Sequence, residues 1–468
     1  MNRVQKAAAL YLGALVCICY GYKVGNDQWW PYGIVEEING FIEGHPEAAP
    51  TTTLEKIIND VGGKPARKLV DYTAESAFPD RSYRGVDIPS MNSRRLAPLV
   101  FLDGEKAASG LRVIYGSFDF EDGLNGAVLL DEDGEIIHTW IVNELNLPWV
   151  NREDDEKFPH GFLVEPDGSI VFAFDKGVSI QRFDWWSRRI WAAEIPIDHA
   201  INRGAPGVIW ALQERLVWEM DLQTGELRNC FNLSSLIDEN PEIDPLGLRQ
   251  YELRTSWTWG SGSGYWHVND AEPLPAELAE AFPQFDVGDL LMSFRNINLI
   301  FVCSPVTGEI KWWRVGNWRR QHDPDWQPNG MISVFNNNMH RDVSSILEID
   351  PNTYVCRPLF NGAEEGFYTW IRGKHSVLDN GNITMTSPQQ GRAFEVNQKG
   401  EVVFEFVNRY DQEHTMLVSE IIQLPLDYFD FDLETGPASK PPRDPIIHRY
   451  DVEELETWAG LRDNVTAD

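Results

Sequence analysis

One local pattern recurs along this chain and limits its fold more than any other feature. A β-rich run ends in a polar turn, and a second apolar run follows. Four copies carry Gly in the turn: DEDGEIIHTW (131–140), DLQTGELRNCF (221–231), SPVTGEIKWW (304–313) and NQKGEVVFEF (397–406). Two degenerate copies, DWWSRRIWAAEI (184–195) and DPNTYVCRPLF (350–360), lie among them. Turn residues flanked by β-branched and aromatic runs are hairpin signals. The turns centre near 134, 187, 225, 308, 352 and 400, in steps of 53, 38, 83, 44 and 48 residues. Only the step of 83 departs, and it holds a Gly/Ser stretch at 260–264 and an insertion at 271–288.

A second element keeps phase with the first. A His precedes an Asp/Asn-Gly-type turn and then a strand, in copies starting at His160, His267, His322 and His375. The His-to-Gly spacing is 8 from His160 to Gly168, 8 from His322 to Gly330 and 6 from His375 to Gly381. Repeats of about 45–50 residues, each with room for four short strands, are the mark of a β-propeller. Six copies predict an all-β, six-bladed β-propeller, with a pair of β-sandwiches as the alternative. The expected organisation is an N-terminal signal-anchor helix (1–25), a stalk and N-terminal wrap (26–100), the propeller (101–426) and an acidic, Pro-rich C-terminal tail (427–468). The wrap is expected to hold a short helix near 53–61, and the tail one near 452–462. The innermost strand of each blade starts at the central channel. The four histidines are therefore expected to ring one mouth, with the 271–288 insertion overhanging it. Structural blade-to-blade bonding and metal binding are the competing readings for such histidines; no metal is expected, because supporting carboxylates lack a fixed spacing.

Charge narrows the function. Lys and Arg number 40 against 72 Asp and Glu, a net charge of −32. Such a chain cannot neutralise a nucleic-acid backbone or dock on anionic lipid through a basic patch. An anionic substrate needs a local cationic pocket. The N-terminus has Arg3 and Lys6 before an uncharged run, Ala7 to Tyr22. As a helix it spans about 24 Å at 1.5 Å per residue, a little short of a ~30 Å hydrocarbon core. Trp29, Trp30 and Tyr32 follow like an interfacial belt. The expectation is a retained anchor, with a cleaved signal peptide as the alternative. Both place the body on the periplasmic or extracellular face. Beyond the run, Cys230, Cys303 and Cys356 are too few and too scattered for a zinc site or a disulfide framework. One disulfide among them stays open.

The residues of several blades resemble the bacterial arylsulfotransferases, over roughly 113–410. VIYGSFDF…GAVLLDEDGEIIHTW (113–140) is similar to that family's opening blade. The most specific stretch is HVND…LLMSFRNINLIFVCSPVTGEIKWW (267–313). There the family's His-x-Asn falls on His267 and Asn269, and its Ser-x-Arg strand on Arg295. QHDPDWQPNGMISVFNNN (321–338) places His322 on the family's nucleophile, and an earlier active-site His matches His160. The sequence departs from the family at His160-Gly161, where members often have His-His-Asp or His-Asp, and in the 271–288 insertion.

The resemblance implies sulfuryl transfer from an aryl sulfate to a phenol, without cofactor. His322 would attack sulfur and form a sulfohistidine. His160 or His267 would act as acid and base, while Arg295 and Asn269 hold the sulfuryl oxygens. His375 is expected to line the pocket, and Trp266, Trp326 and Tyr368 to stack on aromatic rings, with blade packing as their alternative. One rival reading is a non-catalytic, membrane-tethered scaffold subunit. Another is a quinoprotein, which SPVTGEIKWW resembles; six copies and no Cys-Cys pair count against it. A protein partner or a homo-oligomer stays open, and no nucleic-acid partner is expected.

Overall fold

The computed structural model describes residues 81–142, 147, 159–174, 179–195, 197, 199–213, 215–243, 246, 266–339, 341–412, 414–438, 444–450 and 455. The expected anchor, most of the stalk and the expected helix near 53–61 lie outside them; of the helix expected near 452–462 only Leu455 is described, and it is helical. Among the described residues no helix is long and apolar enough to cross a membrane.

Six antiparallel sheets make six blades. Blade 2 starts with Pro159–Val164, blade 3 with Ile201–Arg203, blade 4 with Val268–Pro273, blade 5 with His322–Trp326 and blade 6 with His375–Val377. Each continues through three antiparallel neighbours in chain order. Blade 1 is composite. Leu111–Ser117, Asn125–Leu130 and Ile136–Val142 supply three strands, and Val418–Leu424 arrives from the far end of the chain to pair with the first. This pairing closes the ring. All six sequence turns fall in one structural position, the hairpin joining the third and fourth strands of a blade, as at Asp131–Gly134 between Asn125–Leu130 and Ile136–Val142.

The flanking segments add strands at the blade edges. Arg84–Gly85 and Leu99–Leu102 extend blade 6 through Val402–Val407. Ile446–His448 pairs in parallel with Arg189–Ala193 of blade 2. Both cover an edge that would otherwise present unpaired backbone groups.

The apolar core lies between the blades. Six main clusters of buried side chains each join two neighbouring blades, closing a circle from blades 1 and 2 round to blades 6 and 1. The strands therefore read as continuous apolar runs, because sheet faces on both sides are covered. Buried tryptophans tie blade to blade: Trp140 Nε1 donates to Gly168 O and Trp191 Nε1 to Leu222 O, both at 2.9 Å. Cys230, Cys303 and Cys356 are free thiols.

The 271–288 insertion does not overhang the histidine mouth. It joins the end of Val268–Pro273 to the start of Leu290–Phe294, while His267 and Arg295 sit at the opposite ends of those strands. Its 3-10 turn, Ala276–Ala281, leads into Phe282 and Phe285, which pack on Trp326 with ring centroids 4.7 and 5.5 Å away.

Candidate functional site

The innermost strands begin irregularly, and that irregularity builds the site. A register shift falls between Pro159 and Phe162, Val268 and Asp270, His322 and Pro324, and Val418 and Glu420. A bulge of this kind re-aims side chains. The residues within the shifts, His160, Asn269, Asp323 and Ser419, all line one axial cavity together with His322, Arg372 and Lys374. It is small, with room for about one water. His267, Asp323, Arg320 and Arg372 hold φ values of 47°, 49°, 57° and 60°. Left-handed backbone is costly for residues with a side chain and clusters at functional sites.

His322 is buried and held from both sides. Its Nδ1 donates to Asn337 Oδ1 at 2.6 Å. The Asn337 amide is itself oriented, since its Nδ2 donates to Thr369 O (2.9 Å) and Arg372 O (2.7 Å). The proton is thereby assigned to Nδ1, and Nε2 carries the lone pair. That lone pair accepts a long bond, 3.2 Å, from the Arg372 backbone N–H. Burial pushes the His322 pKa well below the usual imidazole range, and the positive charge of Arg295 adds to this; His267 and His199 contribute. The ring is therefore neutral and nucleophilic near pH 7.

Arg295 follows Leu290–Phe294 and is 8% exposed. Its guanidinium meets Asn296 Oδ1 (3.1 Å) and the Met339 sulfur (4.0 Å); no carboxylate bonds it among the described residues. Its Nε is buried without a partner among the described residues. Burial lowers its pKa to about 10, and Arg320 adds to the effect. Asn269 Nδ2 donates to Gln321 O at 2.8 Å, while its buried Oδ1 has no partner among the described residues. A cation that no described carboxylate pairs, an amide oxygen with no described partner and a neutral His make a polar site suited to a polar ligand.

The structure brings a further residue here that the sequence reading passed over. His199 Nε2 lies 3.3 Å from His267 Nε2, and its ring packs edge-on against His160 with centroids 4.9 Å apart. His160, His199 and His267 thus make a row across blades 2, 3 and 4. The signal was present: His199 precedes Gly207 by the same eight residues as His160 precedes Gly168. Asn337 and Arg372 were also missed, because their roles depend on contacts between blades 5 and 6.

Four candidates stand apart from the cavity. His375 is bonded at both nitrogens, to Asp323 Oδ2 (2.9 Å) and Ser333 Oγ (2.8 Å), as a buried strut between blades 5 and 6. Trp266 stacks on Phe294 at 4.8 Å inside the core between blades 3 and 4. Trp326 belongs to the core between blades 4 and 5. Tyr368 is half-buried on the loop entering blade 6, where its carbonyl accepts from Ser387 Oγ.

Below the histidines the channel is acidic. Asp270 and Glu272 come from blade 4, Asp323 and Asp325 from blade 5 and Glu420 from blade 1, with Lys374 among them. Lys374 Nζ pairs with Asp323 (2.6 Å) and Asp270 (3.6 Å). Burial opposes the charge on Asp323, but Lys374 and His375 outweigh it and hold its carboxyl at about 2. Burial raises Glu420 to about 8. Glu272 and Asp325 rise well above the carboxylate range, from burial and from their acidic neighbours. Asp323, Asp325 and His375 have ligand atoms within 4.8 Å of one another. Lys374 and His375 already satisfy Asp323, so this donor set fits an internal ion pair better than a metal ion.

Solved structures similar to this chain include a protein of unknown function from Bacteroides caccae, at 12% identity with TM-score 0.44, covering 67% of this chain and 98% of that one. A streptogramin B lyase matches at 10% identity and TM-score 0.38 over 71% of this chain and 88% of its own. Virginiamycin B lyase from Staphylococcus aureus matches at 12% and 0.34, over 70% and 81%. The blade count rests on the strand order described above and not on these distant likenesses. No curated protein matches the chain. Residues 209–409, from blade 3 to the end of blade 6, match the arylsulfotransferase (ASST) family model. This segment contains His267, Asn269, Arg295 and His322, and over it the chain is similar to the arylsulfotransferases.

Proposed function

We propose that this protein moves a sulfuryl group from an aryl sulfate to a phenol through a sulfohistidine on His322. The observation that carries this reading is a buried neutral imidazole, proton fixed on Nδ1 by Asn337, beside a buried Arg295 that no described carboxylate pairs. In the first half-reaction the Nε2 lone pair displaces its contact with the Arg372 N–H and attacks sulfur. The N–S bond forms, and the S–O bond to the ring breaks with its electron pair leaving on the phenolate oxygen. That oxygen takes a proton from the His160–His199–His267 row. Asn337 Oδ1 stabilises the positive charge that develops on the ring through Nδ1–H, and Arg295 meets the sulfuryl oxygens. The second half reverses each step with the acceptor phenol, whose proton returns to the row. The body works on the periplasmic or extracellular face, tethered by its N-terminal segment.

Incubation with a chromogenic aryl sulfate and no acceptor tests the scheme. The expected result is a mass gain of one sulfuryl group on the peptide holding His322. His322→Ala is expected to lose the adduct and turnover while keeping its thermal transition. Turnover surviving in that variant removes His322 from the role. Absence of adduct and of phenol release in the unaltered protein favours a non-catalytic scaffold.

A further inference from the structure

Two guanidinium groups meet at the histidine mouth with no described acid bonded to either. Arg295 and Arg320 both donate to the side-chain oxygen of Asn296, a neutral acceptor. Arg295 is buried and Arg320 half-buried. Like charges brought together out of water repel strongly, and burial and mutual repulsion depress Arg295. In a chain of net charge −32 a carboxylate partner would be easy to supply. Among the described residues none bonds either arginine.

The arrangement is also held rigidly. Arg320 sits in left-handed backbone, φ 57°. Its N–H donates to Asn298 Oδ1 at 2.8 Å, and the Asn298 carbonyl accepts from Trp318 Nε1 at 2.8 Å and from the Gly316 N–H at 3.1 Å. Asn298 is itself left-handed, φ 54°. The short turn after Leu290–Phe294 and the loop before His322 are thus laced together so that the two guanidiniums converge. Arg295 is the one whose charge reaches His322. Arg320 lies further toward solvent. A planar fork in each position suits an oxyanion.

We propose that Arg320 extends the Arg295 site into a clamp for substrates bearing a second oxyanion, a carboxylate or sulfate on the ring beyond the transferred group. Arg295 meets the sulfuryl group at His322, and Arg320 meets the second anion. The placement rests on the sulfuryl-transfer reading, but the clamp itself can be tested apart from it.

The probes are two coumarin donors with the same type of leaving phenol: 4-methylumbelliferyl sulfate, and the sulfate ester of 7-hydroxycoumarin-4-acetic acid. The unaltered protein is expected to show a kcat/KM at least about tenfold higher for the carboxylated donor, a preference that falls as salt rises. Arg320→Gln is expected to bring the ratio of the two kcat/KM values near one, and Arg320→Lys to keep part of it. A ratio of one or below in the unaltered protein, or an unchanged ratio in Arg320→Gln, overturns the proposal. If neither sulfate turns over, the transfer reading fails and the clamp is read from the fluorescence-titrated Kd of the two free hydroxycoumarins. Tighter binding of the acid, lost in Arg320→Gln, supports it; equal Kd values overturn it. A thermal unfolding scan of each variant separates misfolding from lost recognition.

Discussion

A buried imidazole can be a nucleophile only if something fixes which nitrogen holds the proton. Asn337 does this for His322, and Thr369 and Arg372 carbonyls fix Asn337 in turn. Removing charge from Arg295 has a double consequence, because that guanidinium depresses the His322 pKa and, in the proposed transfer, meets the sulfuryl oxygens. Arg295→Gln is expected to lower kcat for aryl sulfate by about 10²–10³-fold, the usual loss for one preorganised charge-stabilising donor. The acid limb of its pH–rate profile is expected to move toward neutrality, since His322 then takes up a proton more readily. Steady-state kinetics from pH 5 to 8 check both. A uniform loss with an unmoved profile would assign Arg295 to substrate binding alone.

At the scale of single elements, the third-to-fourth-strand hairpins carry the design of the blades. In the Asp221–Gly225 turn, Gly225 has φ +75° and its missing Cβ would lie 2.5 Å from the Trp191 indole of the neighbouring blade. The same indole donates to Leu222 O. One turn therefore reverses the chain and seats the next blade. Gly225→Ala is expected to cost about 2–4 kcal/mol, about 1–2 from left-handed backbone and the rest from displacing Trp191. Gly207→Ala isolates the backbone part, because Gly207 has φ +78° with nothing within 4 Å of its missing Cβ; it should cost only about 1–2 kcal/mol. Urea midpoints of the two variants give the comparison. These hairpins were legible because turn chemistry is local. The bulges that open the innermost strands were not, since a bulge is defined by the partner strand's register. His199 was legible in its spacing, yet blade 3 lacks the Asp-Gly or Asn-Gly turn that marked the copies at His160, His322 and His375.

For the molecule as a whole, the channel sets a pH dependence of stability. Glu420 has a folded pKa of about 8 against an ordinary value of 4.5. The folded state then holds its proton longer than the unfolded chain. This contribution to stability is complete below about pH 4.5 and is lost as pH rises through about 8. Glu420→Gln is expected to flatten that part of the profile, so the gap between the Tm values of the variant and the unaltered protein widens in the variant's favour from pH 5 to 8. A constant gap would mean that Glu420 is ionised throughout. The same channel depends on ring closure. Val418–Leu424 supplies blade 1 with its innermost strand and brings both Ser419 and Glu420 to the axis.

The repeat of turns and histidines determined the architecture by itself, because hairpins and strand lengths are written in local residue order. It also marked His322, to which the family resemblance added Asn269 and Arg295, and the structure describes their neighbourhood as one buried polar site. What only the tertiary structure decided is which residues meet. His375 shares the pattern of the site histidines and Trp266 adjoins His267 in the chain, but their side chains are spent on blade packing. His199, Asn337 and Arg372 come from three separate segments and converge only when the ring closes. The insertion went to the far mouth because a hairpin connection lies at the opposite end of the strand from its start. Sequence spacing records how far apart residues are along the chain, whereas a propeller site is assembled across the chain, by one residue or two from each of several blades.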